Sequence, residues 1–185
     1  MTAPYLLWAA IACILFWCVG VYNRVMRLRA RGFDAFGSLE KHLRHYGAIV
    51  TTLSPVGEGH ASFAASMGQN AVADDWAHLI VCLGALDQSL KLARPSPFDS
   101  EGLARVSAAC ADLGSAWTRV KAAPADLAGP ALPEELERHW EDSAQRARSA
   151  TEGFNQIMQK YNEAISQFPA RLICRLFGFT PIALL

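Results

Sequence analysis

Apolar residues run from Pro4 to Tyr22 without one interrupting charge, and beyond that point they recur at three- and four-residue steps. Tyr5 to Val21 reads YLLWAAIACILFWCVGV, close to the roughly 20 apolar residues a bilayer core requires of a spanning helix. From there Val25, Leu28, Ala35, Phe36, Leu39, Leu43, Tyr46, Val50 and Leu53 keep helical spacing with charges between them. That alternation predicts an amphipathic helix that continues the span without a break. Gly32, Gly37 and Gly47 each weaken it by up to about 1 kcal/mol relative to alanine, which marks places for a kink. Ser54-Pro-Val-Gly-Glu-Gly59 then breaks the pattern as a turn.

Three further helices follow from the same periodicity. The second is predicted near residues 60–93, with Trp76, Leu79, Ile80, Leu83, Leu86 and Leu90 as its stripe. Pro95-Ser-Pro97 ends it, and Asp99 or Ser100 can cap a third helix that runs to about Lys121 on Leu103, Val106, Cys110, Leu113, Trp117 and Val120. Ala122 to Pro133 is rich in Ala, Pro and Gly and reads as a linker. A fourth helix is expected from Glu134 to about Phe168, with Leu136, Trp140, Ala144, Ala147, Phe154, Ile157, Met158, Tyr161 and Ile165 inward. No strand pattern appears. The expected fold is all-α: a transmembrane anchor over residues 1–22, continuing into an antiparallel four-helix bundle with a C-terminal apolar tail over residues 23–185.

Residues 1–23 hold no Lys or Arg, whereas Arg24, Arg27, Arg29 and Arg31 follow the span directly. The positive-inside rule then puts the amino terminus outside and the bundle in the cytoplasm. A cleaved signal would want basic residues before the apolar run and small ones at a cleavage site after it, and neither stands here. Trp8, Trp17, Tyr5 and Tyr22 are aromatics of the kind that mark membrane interfaces.

Composition narrows the function classes. Lys+Arg and Asp+Glu number 17 each, so no basic excess offers phosphate neutralisation, and nucleic acid is not an expected partner. Five cysteines at 13, 18, 82, 110 and 174 form no Cys-x-x-Cys pair, and neither a disulfide framework nor a zinc site is suggested. Asp75-Trp-Ala-His78 puts a carboxylate and an imidazole one helical turn apart, the spacing that di-iron bundles use twice, but it occurs once. A surface reading of that pair, of His42 and His45, and of the isolated His60 and His139 outweighs a metal site. Cys82, Cys110 and Ser143 lack a neighbouring His-acid signature, and Val56-Gly-Glu-Gly59 opens no strand-to-helix phosphate cradle. No catalytic residue, cofactor or metal is therefore expected. Asn23, Asn155 and Asn162 are poor helix-interior residues unless their amides find partners, and hydrogen bonds between helices one and four are the expected ones.

Two stretches resemble a known family. Phe154-Asn155, Tyr161-Asn162, Phe168-Pro169 and Phe177-Gly178-Phe179 are similar to the C-terminal pattern of the LemA family of small bacterial membrane-anchored helical proteins. Tyr22-Asn23, Leu28-Arg29, Ala35 and Leu43 resemble the segment after that family's membrane span. The chain departs from the family at His45 to Val50, where an Asp-Leu-Ile-Pro-Asn-Leu run is usual, and at Ser143-Ala144, where the family has Thr-Glu. The resemblance implies a divergent member: a membrane-tethered, non-catalytic bundle acting as scaffold or adaptor, in membrane organisation or envelope response. Its expected partners are membrane lipids, through the N-terminal helix and the basic apolar tail, and an unidentified protein. Small residues Ala9, Ala10, Ala12 and Gly20 leave homo-oligomerisation open. The alternative is a small-ligand or metal-binding bundle built on Asp75, His78 and the asparagines.

Overall fold

The computed structural model describes residues 3–53, 70–123 and 132–185, and within them the chain forms five helices and no strand. These are α1 (Ala3–Leu53), α2 (Asn70–Ala93), α3 (Ser100–Ala122), α4 (Glu134–Ser166) and α5 (Ala170–Leu176). The turn expected at 54–59, the first turns of helix two with His60, and most of the 122–133 linker lie outside the described residues. α1 is unbroken across the end of the apolar stretch: its 51 residues make a rod of about 77 Å at 1.5 Å per residue. It is long and apolar enough near the N-terminus to cross a membrane.

The helix ends follow local chemistry. The Asp99 carboxylate accepts the Gly102 N–H at 2.9 Å and caps α3. Pro133 stands immediately before α4, whose first turn carries Glu134, Glu135 and Glu137 against the positive end of the helix dipole. α4 stops at Ser166, two residues short of the expected end, because Pro169 disfavours helical backbone at Phe168.

The inward stripes meet in one core. α1 packs along α4, and α2 along α3, with a smaller contact between α1 and α2. Along the α1–α4 seam the partners run in opposite numerical order. Tyr46 meets Trp140 (4.5 Å between ring centroids) and Phe36 meets Phe154 (6.1 Å). Gly32 lies under Met158 so closely that a Cβ there would come within 2.5 Å of Met158 Cε and 2.9 Å of Phe98 Cε1. Gly32 thus serves close packing, not a kink. Trp117 of α3 stacks on Trp140 at 4.0 Å and 9° between planes, which ties the α2–α3 pair to the seam.

Two details depart from the expected stripes. Ile80 is 49% exposed while Cys82 is buried, because the face of α2 turned to α3 lies on the Leu79–Cys82–Leu86 side. Glu40 is buried on α1 between two guanidinium groups. Its Oε1 sits 3.0 Å from Arg44 Nη2 without a hydrogen bond to it, and its Oε2 lies 3.9 Å from Arg94 Nε. Arg44 also reaches Asp87 Oδ1 at 3.3 Å, so these charges join α1 to α2.

The seam makes a quantitative demand. Phe154 is fully buried against Phe36. Phe154→Ala is expected to destabilise the bundle by about 3–5 kcal/mol, the range for emptying a buried aromatic site. Denaturant unfolding in detergent followed by far-UV circular dichroism checks it.

Candidate functional site

The residues after α4 double back along it. α5 ends in a Schellman arrangement, in which Phe179 N–H donates to the Cys174 carbonyl (2.9 Å) and Gly178 N–H to that of Arg175 (3.3 Å). The reversal needs the left-handed backbone at Gly178, φ 72°, which glycine adopts without steric cost. Beyond it, Phe179 to Leu185 has no regular secondary structure. Phe179 and Leu185 are half-buried and Ile182 is buried, so inward positions recur every third residue, the repeat of a polyproline II ribbon.

Two asparagines of α4 hold this tail by its main chain. Asn155 Oδ1 accepts the Leu185 N–H at 2.9 Å, and its Nδ2 donates to the Leu185 carbonyl at 2.7 Å. Asn162 Oδ1 accepts the Ile182 N–H at 2.9 Å, and its Nδ2 donates to the Ile182 carbonyl at 2.8 Å. Each amide satisfies both backbone groups of one residue. The spacing follows from arithmetic: seven residues of α-helix rise about 10.5 Å. Three residues of nearly extended chain span about the same distance. The asparagines therefore do find partners, but in the tail; the expected bonds to α1 are not made, and Asn23 is exposed. Their seven-residue separation beside an apolar three-residue repeat was the available signal. Residue type alone names no partner for an amide, so this signal does not by itself point to a main chain.

The tail's end opens on a cavity of about 700 Å³ whose walls include Leu43, Tyr46, Leu113, Trp117 and Trp140. Asn155 and Leu185 line it too, so clamp and cavity are continuous, and Arg148, Thr151 and Glu152 stand on its α4 side. Burial pushes the Cys110 thiol there up to about 11. Burial, with Cys110 adding to it, raises the Tyr46 hydroxyl to about 12.

The other sequence candidates separate. Asp75 Oδ1 lies 3.7 Å from Arg119 Nε on α3, while His78 Nδ1 lies 3.1 Å from Cys82 Sγ. The helical pair is thus divided between two different partners. Burial pushes the Cys82 thiol up, which holds it as a weak S–H donor and not a thiolate nucleophile. No group of three or more His, Cys, Asp or Glu that could hold a metal ion occurs among the described residues. His45 and His139 are exposed, His42 is half-buried, and Ser143 is buried in the α4 stripe.

At the other end of the seam, Phe177 and Phe179 pack on Tyr22 with centroids 5.4 and 6.2 Å away, at the last residue of the apolar stretch of α1. Arg29 lies 5.8 Å above the Phe179 ring. Phe168, Leu172, Leu176 and Phe177 remain exposed there beside Arg171 and Arg175. The basic apolar tail expected to meet lipid is therefore divided: Phe168, Leu172 and Leu176 are exposed, whereas Cys174 and Ile182 are buried and Phe179 and Leu185 half-buried against the bundle. No family model, curated protein or solved structure matches the chain.

Asn162→Ala is expected to cost about 1–3 kcal/mol, the range for leaving buried polar partners unsatisfied. Amide exchange at Ile182 should accelerate selectively; an unchanged rate would show the clamp is not holding the tail. Folding also keeps Cys110 and Tyr46 neutral, so on raising the pH the unfolded chain ionises first. The stability that these two groups contribute is full below pH 9 and is lost from 9.0 to about 11 through Cys110 and from 10.0 to about 12 through Tyr46. Thermal unfolding from pH 8 upward should show that decline, with its upper part flattened by Tyr46→Phe.

Proposed function

We propose that the chain is a membrane-anchored scaffold or adaptor of LemA type, an antiparallel four-helix bundle held in the cytoplasm by a single N-terminal span of the bacterial inner membrane. The observation that carries this reading is the division of α1. Tyr5, Leu7, Trp8, Ile14, Leu15, Phe16 and Val19 are all exposed, whereas Val25, Phe36, Leu39, Leu43 and Val50 of the same helix are core residues. Such a run of exposed apolar side chains in water is an aggregation liability, and lipid is the solvent that removes it.

The arginines after Tyr22 favour the inside orientation, and the ring contacts between Tyr22 and the Phe177/Phe179 pair support placing α5 at the same boundary. There Leu172 and Leu176, one turn apart on α5, are exposed beside Arg171 and Arg175, and Phe168 is exposed just before the helix. Short basic amphipathic segments of this kind lie in the headgroup layer of anionic membranes. The bundle serves as a platform for another protein and carries out no reaction. The alternative of a metal-binding bundle draws less support, since Asp75 is paired with Arg119.

A reporter active only in the cytoplasm, fused after Leu185, should be active, and crosslinking in intact membranes should capture a specific protein partner. Reporter activity only on the periplasmic side would reverse the topology. Capture of lipid and bulk abundant proteins alone would remove the adaptor role while leaving the anchor intact.

A further inference from the structure

The charge of this chain is balanced only when it is counted whole. Residues 22–33 of α1 and 164–179 around α5 carry six of its 17 Lys and Arg and none of its 17 Asp and Glu, which leaves 11 bases against 17 acids elsewhere. The two basic stretches meet, since Phe177 and Phe179 pack on Tyr22. Among the described residues none of the six arginines enters a salt bridge, whereas seven of the 11 bases elsewhere do. Arg29 is taken up by the Phe98 and Phe179 rings, while Arg24, Arg27, Arg31, Arg171 and Arg175 are exposed. Arg24, Arg27 and Arg31 stand at three- and four-residue steps and so share one face of α1. Tyr22 lies on the opposite face, where α5 arrives. Unneutralised guanidinium groups therefore flank the helix on both sides as it leaves its apolar stretch.

We propose that this end of the bundle binds the phosphates of anionic phospholipids, with the arginines of α1 and α5 as its cations and α5 as a second attachment in the headgroup layer. The inference rests on the membrane anchor proposed above and adds the class of lipid that the bundle selects. Apolar groups favour a lipid over a soluble polyanion. Phe168, Leu172, Leu176 and Phe177 are 83%, 66%, 83% and 57% exposed and alternate with Arg171 and Arg175, so an occupant that covers the patch must offer hydrocarbon and phosphate together. The level fits as well. Arg24 follows Tyr22 by about 3 Å of helix rise and Arg31 by about 14 Å. The headgroup layer is about 5–7 Å deep on each side of a bilayer, and Arg31 stands within a Debye length of about 8–10 Å beyond it. Each basic residue near an anionic surface adds about fivefold to binding, so five exposed arginines make lipid charge a strong determinant. The acid excess in the rest of the chain is repelled by the same surface, which holds the far end of the bundle off the membrane.

Hydrogen exchange on the full chain tests this in nanodiscs of phosphatidylcholine alone and of phosphatidylcholine with about one third phosphatidylglycerol. Amides of residues 170–177 should exchange about fivefold more slowly in the anionic discs while core amides of α4 are unchanged, and high salt should shrink the difference. The double variant Arg171→Gln, Arg175→Gln should remove most of it, with protection in α4 reporting that the bundle is still folded. The triple variant Arg24→Gln, Arg27→Gln, Arg31→Gln leaves α5 untouched and should reduce the difference as well. Equal exchange at 170–177 in the two discs, or a difference that both variants leave intact, would overturn the proposal. So would the same protection in phosphatidylcholine discs on adding glycerol 3-phosphate, since the site would then take a soluble phosphate. Amides of residues 5–21 separate the two readings. If they stay protected while 170–177 ignore lipid charge, the anchor stands and the lipid site falls; if they exchange freely in both discs, there is no anchor and both fall.

Discussion

Everything in this molecule hangs on the seam between α1 and α4. Neither helix could hold its shape in water on propensity alone, because helical stability in proteins comes mostly from the burial of an apolar face. Their faces are long, and matching them end to end leaves only one relative order: Tyr46 on Trp140, Phe36 on Phe154, Gly32 beneath Met158. Once that order is set, the end of α4 must return to the level of Tyr22. The turn at Gly178 and the two asparagines of α4 then seat the tail along it, and at the far end Trp140 is shared between Tyr46 and Trp117.

Much of this architecture was legible in the chain, because the apolar spacing and the helix length both report on burial. The stripes of α1, α3 and α4 contain most of the large residues that these helices bury, while Ile49 and the small Ala109, Ala116, Ser143 and Ala164 were outside them, and Asp99 before Glu101 marked a helix start that its side chain does cap. Ile80 departs from its stripe for a geometric reason. A residue one position from Leu79 is rotated by about 100°, so it belongs to the stripe only if the neighbouring helix sits on that flank, and single-helix periodicity carries no record of which flank is occupied. Cys82 took the place on the other flank, where α3 lies.

The candidate site was less legible, and for a different reason. Asparagines in a helix announce an unsatisfied need without naming what meets it. Two long helices were the obvious partners. The chain from Phe168 to Leu185 is apolar and basic, a pattern that argues for lipid, and hydrophobicity carries no information on its backbone groups. Those backbone groups are what the asparagines contact. A polar side chain meeting a main chain leaves almost no trace in the residue types of its partner, and only the spacing of the two asparagines bore on it.

That spacing makes the clamp a gauge. Two turns of helix and three steps of ribbon measure the same length in different units, so the two amides and the two backbone sites can register only while both counts hold. Removing one residue between Ile182 and Leu185 shortens the ribbon by about 3 Å and turns every inward side chain away. Adding one to α4 between the asparagines rotates one amide by about 100° around the helix. Neither error can be absorbed by a rotamer. The tail's length and the helix's phase are bound to change together, seven against three, or to stay as they are.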